Sequence, residues 1–201
     1  MLIGFKRFLE EETNGTLQVV DIDDTLFHTT ARIGIKKDGK VTHYLSNSKF
    51  NKYELKPGEE YDFGEFRNAK KFRAESEPIK PMIDKMKKMQ NSKKNKIIIN
   101  TARADFDDKN EFLNTFRDYG IDIDKIHVHR AGNEPGPIAD KKVKIVKGYI
   151  DKHAFKKVVM YDDHEPNLEE LLNMVREYPK IKFIAFHVKP DGSMSRYYGE
   201  K

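Results

Sequence analysis

The chain has 201 residues, 37% of them apolar, with 38 basic against 33 acidic side chains and a net charge of +5. That supports one hydrophobic core with at most a modest appendage, so a single domain over 1–201 is expected. Cysteine is absent, which excludes a disulfide framework, a thiolate metal site and a cysteine nucleophile. No apolar run approaches a membrane span, and the opening MLIGFKRFLEEE carries acids where a signal peptide is apolar, so the expectation is a cytoplasmic protein with no membrane partner.

In chain order, 2–11 places Leu2, Phe5 and Leu9 at helical spacing and reads as a helix packed on the sheet. The first buried strand is 17–22, and it runs into the stretch DIDDT. Residues 32–77 break the later alternation: RIGIKKDGKVTHYLSN reads as a hairpin turning at Asp38 and Gly39, followed by Tyr53, Tyr61, Phe63, Phe66 and Phe72. We read 32–77 as a small cap or insertion, its aromatics forming a local core and not a base-stacking platform. Beyond it, strands at 97–100, 126–128, 158–161 and 181–188 alternate with helices at 81–89, 110–119, 143–150 and 168–175. The fold class is therefore α/β, a mostly parallel sheet of about five strands flanked by helices. In such sheets ligands bind beyond the carboxyl ends of the strands, which is where Asp21, Thr101 and Asp162 fall.

Three carboxylates, Asp21, Asp23 and Asp24, directly after an apolar strand repel one another and are costly to desolvate, so they call for a compensating cation. A hard divalent ion such as Mg2+ takes oxygen ligands of this type. A second acid pair, Asp162 and Asp163, also ends an apolar strand. Between the two pairs, IIINTAR offers the Thr101 hydroxyl and the forked Arg103 guanidinium to a phosphate. The lysine-rich stretch ADKKVKIVKG offers Lys144 as the facing cation, with Lys141 and Lys142 as rivals, whereas the lysines of 85–96 read as a solvated helix face.

The order of DIDDT, a strand ending in threonine, a lysine and an acid pair resembles the four motifs of the haloacid dehalogenase (HAD) superfamily of phosphohydrolases, over most of the chain. The resemblance implies a Rossmann-like fold. It implies Asp21 as nucleophile, Asp23 as acid and then base, and Mg2+ held by Asp21, the Asp23 carbonyl and Asp162 or Asp163. Thr101, Arg103 and Lys144 would hold the charge of the transferring group. Asp24 departs from the pattern, since the family often has glycine there.

A closer likeness is to the 3'-phosphatase domain of bacteriophage polynucleotide kinases, carried by HVHRAGNEPGPIADKKVKIV, with Asp140 four positions before Lys144, and by VVMYDDHEPNLEELLNM. It implies further substrate contacts at Arg32, Arg130 and Asp140, and a cytoplasmic location in the host cell if the chain is phage-encoded. No GxxxxGK[ST] occurs, so a P-loop kinase activity is not encoded in this chain. The expected function is Mg2+-dependent removal of a 3'-phosphate from a nucleic-acid end. The alternatives are a phosphatase of nucleotides or other small metabolites, and a non-catalytic nucleic-acid-binding domain. His127 and His129 read as structural side chains ahead of substrate contacts.

Overall fold

The computed structural model describes residues 15–50 and 52–199, and the helix expected at 2–11 lies outside them. β1 (Thr16–Val20) is the centre of the molecule, and its side chains alternate between two cores. Leu17 and Val19 enter one, and Val20 enters the other. β7 (Asn95–Thr101) and β9 (Lys157–Asp162) flank β1 in parallel and divide their side chains the same way: Ile98, Val158 and Met160 join Leu17, while Ile97, Ile99 and Val159 join Val20. β8 (His127–Arg130) extends the sheet beyond β7, and β10 (Lys182–Val188) extends it beyond β9, both parallel. β11 (Met194–Tyr197) closes the β10 edge antiparallel, giving the order β11-β10-β9-β1-β7-β8. The sheet thus has one strand more than expected, because the exposed sequence of β11 lacks the apolar run that marks a buried strand.

Helices cover both faces. α2 (Ala69–Glu75), α3 (Lys80–Gln90) and α4 (Lys109–Asp118) cover the Val20 face, packing Phe72, Met82, Met86, Phe112 and Phe116 into one core. α5 (Ile138–Ile150) and α6 (Glu165–Asn173) cover the other with Val143, Val146, Leu168 and Leu171. The chain builds outward from β1 through β7 to β8, then crosses back to β9 and β10. That reversal places the crevice of a doubly wound sheet beside the carboxyl end of β1.

After β1 the chain makes a tight turn in which the amides of Thr25, Leu26 and Phe27 all donate to the Ile22 carbonyl. Asp24 occupies its left-handed position, with φ of 53°. β2 (Phe27–His28) then pairs with β6 (Glu77–Pro78), bracketing the segment between them. Within it, β3 (Ile33–Lys37) and β4 (Lys40–Leu45) form the expected hairpin, with Asp38 and Gly39 both at positive φ, as a two-residue turn of the I′ type needs. β4 leads into a one-turn helix, α1 (Asn47–Phe50), and β5 (Glu59–Asp62) adds a third strand beside β3. Ile33, Ile35 and Leu45 form its small core with Phe50, Tyr53, Tyr61 and Phe66. Phe72, expected among those aromatics, belongs instead to the main core, in edge-on contact with Phe27.

Candidate active site

Side-chain parity explains how the acids meet. Asp21 continues β1 on the face of Leu17 and Val19, its amide donating to the Tyr161 carbonyl at 3.0 Å, and Asp162 continues β9 on the face of Val158 and Met160. α5 covers that same face, and its Lys142 Nζ reaches both carboxylates, at 2.7 Å from Asp21 Oδ1 and 2.7 Å from Asp162 Oδ2. The lysine side chain is only 1% exposed. Asn100, also on the α5 side of β7 by parity with Ile98, donates its Nδ2 to the Lys142 carbonyl at 3.0 Å and fixes that turn of helix. The second Asp162 oxygen, Oδ1, accepts from the His164 amide and from Asn167 Nδ2, which fixes the carboxylate while, among the described residues, Oδ2 accepts from Lys142 alone.

Carboxylate oxygens of Asp21, Asp162 and Asp163 lie within 4.8 Å of one another. Burial, followed by the neighbouring acids Asp162, Asp163 and Asp23, pushes the Asp21 carboxyl well above the usual range, although Lys142 pulls the other way. Asp163 is pushed up to about 7 by burial, then by Asp162 and Asp24. Burial alone would depress the Lys142 ammonium, but Asp162 and Asp21 outweigh it and hold the lysine charged. One lysine against three acids leaves two negative charges uncompensated, the condition a divalent cation relieves.

The wall facing the small sheet is arranged differently. Arg103, 1% exposed, clasps Asp23 through two hydrogen bonds, Nε to Oδ2 at 2.8 Å and Nη2 to Oδ1 at 2.6 Å. Thr29 adds a third donor to Asp23 at 2.7 Å. The remaining guanidinium nitrogen, Nη1, donates to the Phe66 carbonyl, and the guanidinium lies against the rings of Phe66, Phe72 and Phe106 at 4.8–5.3 Å. Charge-assisted, bidentate pairs of this kind are the strong ones, each hydrogen bond contributing roughly 1.5–3 kcal/mol. Thr101 ends β7 fully buried, its hydroxyl accepting from the Arg103 amide at 3.2 Å.

The structure therefore brings Asp21, Asp162 and Asp163 together and sets Asp23, Thr101 and Arg103 along the same crevice. It corrects the lysine: Lys144 is 73% exposed and pairs with Glu134, so the lysine at the acids is Lys142. Arg103 is committed to Asp23 and not free for a phosphate. Arg32 stands exposed at the foot of β3, paired with Glu65 and lying over the Tyr44 ring. Arg130 lies over the Phe112 ring, 3.4 Å from Asp105, and Asp140 is exposed on the first turn of α5. His127 and His129 share the Tyr149 hydroxyl at 2.7 and 2.8 Å. Asn100 and Asn167 were not anticipated; their signal is a polar residue where an otherwise apolar strand or helix face is buried.

A cavity of about 440 Å³ opens between this wall and the small sheet. Asp23 and Arg103 form its base, and Ile33, Phe50, Phe63 and Phe66 its far side. Gly132 permits the close approach of the two loops below it: a Cβ there would stand 2.3 Å from the Ala102 carbonyl oxygen.

No protein-family model and no curated protein sequence matches the chain. Among solved structures, the HAD domain of the effector protein Lem4 from Legionella pneumophila superposes with a TM-score of 0.51, covering 89% of this chain and 88% of that one at 14% identity. The fold is thus mixed α/β with a mostly parallel central sheet, similar to that of this HAD domain. Among the described residues, no helix is long and apolar enough to cross a membrane.

Proposed function

We propose that this chain is a Mg2+-dependent phosphomonoesterase in which Asp21 takes up the phosphoryl group, acting on a phosphorylated nucleic-acid end or nucleotide. The observation that carries the reading is the convergence of Asp21, Asp162 and Asp163 within 4.8 Å, beside one buried lysine, at the carboxyl ends of β1 and β9. Those three side chains suit a hard cation in ligand type and in charge, and the Asp23 main-chain carbonyl is the further ligand that the motif likeness suggests. Magnesium bound there supplies charge neutralisation between Asp21 and an incoming phosphate.

A carboxylate oxygen of Asp21 attacks phosphorus as the ester P–O bond breaks, and the departing oxygen takes a proton from Asp23. Water then attacks the acyl phosphate, giving its proton to Asp23. The P–O bond to Asp21 breaks, inorganic phosphate leaves and the carboxylate is restored. Both Asp23 oxygens accept hydrogen bonds from Arg103, so for Asp23 to act as the acid one of those bonds must open and the carboxyl must take up a proton from solvent before the ester P–O bond breaks. Lys142, in place of Lys144, holds the negative charge of the transferring group, together with the Thr101 hydroxyl.

The chemistry is tested by phosphate release from a 3'-phosphorylated oligonucleotide and from mononucleotides with and without Mg2+. Asp21→Asn is expected to lower the rate at least about 10³-fold in both. Release that is independent of the metal or unaffected by the substitution would defeat the proposal. Retained oligonucleotide binding with no turnover in any variant would favour the non-catalytic reading. A second substrate class, small phosphoesters, is favoured by the cavity, whose volume lies in the range of small-molecule sites. A kcat/KM for mononucleotides far above that for oligonucleotides would select it.

A further inference from the structure

The cavity beside Asp23 presents an unusual balance of groups. Of its charged lining, Asp23 and Arg103 satisfy each other and Lys141 donates its Nζ to the Glu134 carbonyl, so these three offer little to a ligand. Its far side is aromatic: Phe63 lies edge-on to Phe50 at 5.9 Å and to Phe66 at 6.3 Å, and is 45% exposed. Such rings stabilise another ring by edge-on or offset contact, whereas a polyol placed against them would lose hydration on its ring-facing side without gaining hydrogen bonds there. At the rim Arg67 is exposed, and its guanidinium has no hydrogen-bond or ion-pair partner among the described residues. It is suited to lie over the face of a bound ring. Asp23, which lines the cavity, is also the group that gives a proton to the departing oxygen in the proposed reaction, so a leaving group served by Asp23 extends toward this cavity.

We infer that the cavity between the small sheet and the crevice receives the leaving group of the substrate, and that this group is a flat aromatic ring system. The inference rests on the phosphatase reading for the identity of its ligand, and it commits that reading to aromatic esters or nucleotides over sugar and polyol phosphates. One chemistry covers two sources, an aryl group esterified directly and the base of a nucleotide.

The test is calorimetric binding to Asp21→Asn protein with Mg2+, using phenylphosphonate, adenosine 3'-monophosphate and methylphosphonate. At least one of the two aromatic ligands is expected to bind about tenfold more tightly than methylphosphonate. Preference for phenylphosphonate alone identifies an aryl ester, and preference for the nucleotide alone identifies a base. Phe63→Ala should abolish the preference and Phe63→Tyr should restore it, with circular dichroism confirming that both variants are folded. Equal binding of all three ligands, or a preference that survives Phe63→Ala, overturns the inference. Absence of phosphate release from every ester by the unsubstituted protein defeats the phosphatase reading separately, since the binding comparison does not depend on turnover.

Discussion

The two walls of the crevice handle carboxylates in opposite ways. On the α5 side, Asp21, Asp162 and Asp163 share a single lysine and remain under-neutralised, with Asp21 and Asp163 both pushed upward by burial and mutual repulsion. On the side of the small sheet, Asp23 has an arginine and a threonine to itself, and the guanidinium is enclosed by three aromatic rings. A site that is short of cations recruits one, while a site that is already balanced fixes geometry. The first wall is suited to hold a cation, and the second ties the position of the small sheet to Asp23, the carboxylate proposed above to exchange protons.

The largest effect on stability that would test this contrast is expected from Lys142→Met. It leaves two buried acids without their shared partner and should cost about 3–5 kcal/mol in denaturant unfolding. Added Mg2+ should recover part of that loss, because it compensates the same charge. Lys144→Met, two residues away on the exposed side of the helix, should change stability by less than about 0.5 kcal/mol. Equal effects at the two positions would contradict the placement of the lysine.

Arg103→Lys comes next. An ammonium cannot reproduce the two parallel hydrogen bonds to Asp23, the bond to the Phe66 carbonyl and the stacking, so a loss of about 2–4 kcal/mol is expected. If Asp23 is the proton-transfer group, the same variant should alter the pH profile of turnover more than it alters metal affinity.

The sheet was readable because β1, β7 and β9 are nearly continuous apolar runs buried on both faces, and the helices because their apolar stripes are long. β5 and β11 were not, since they are short and half-exposed and are held by backbone pairing with β3 and β10. Lys142 was within reach of a helical reading: it lies four residues before Val146 and seven before Tyr149, both buried, whereas Lys144 lies roughly 200° around the helix from it. The clasp of Arg103 on Asp23 had no local signal, because its partners are 80 positions apart and meet only through the β1–β7 pairing and the return of the chain at Phe66.

A smaller effect is the pH dependence of the metal-free protein. Asp163 titrates at about 7 in the fold against an ordinary 3.8, so the folded state binds more protons than the unfolded one between those values. Stability therefore falls as pH rises from about 4 to about 7 and levels off above that. A cation at the three acids favours their ionised forms, so the stabilisation by Mg2+ in thermal unfolding should grow from pH 5 to pH 8. A stabilisation that shrinks over this range would break the view of the α5 wall as short of cations.

The smallest effect belongs to Asp24, which stands in the turn between the two walls. Its φ of 53° suits glycine, and its side chain contributes one contact, to His28 Nδ1 at 3.2 Å, where His28 also reaches the Pro190 carbonyl. Asp24→Gly relieves the backbone and loses that contact, so the two changes offset and stability should move by less than about 1 kcal/mol. Asp24→Ala loses the contact and keeps the backbone cost, and should be the less stable of the two by about 1 kcal/mol. Both substitutions remove a negative charge that helps to raise Asp163, so in both the pH dependence of metal-free stability should shift to lower pH. A shift in the alanine variant only would mean that the turn geometry, and not the Asp24 charge, acts on Asp163.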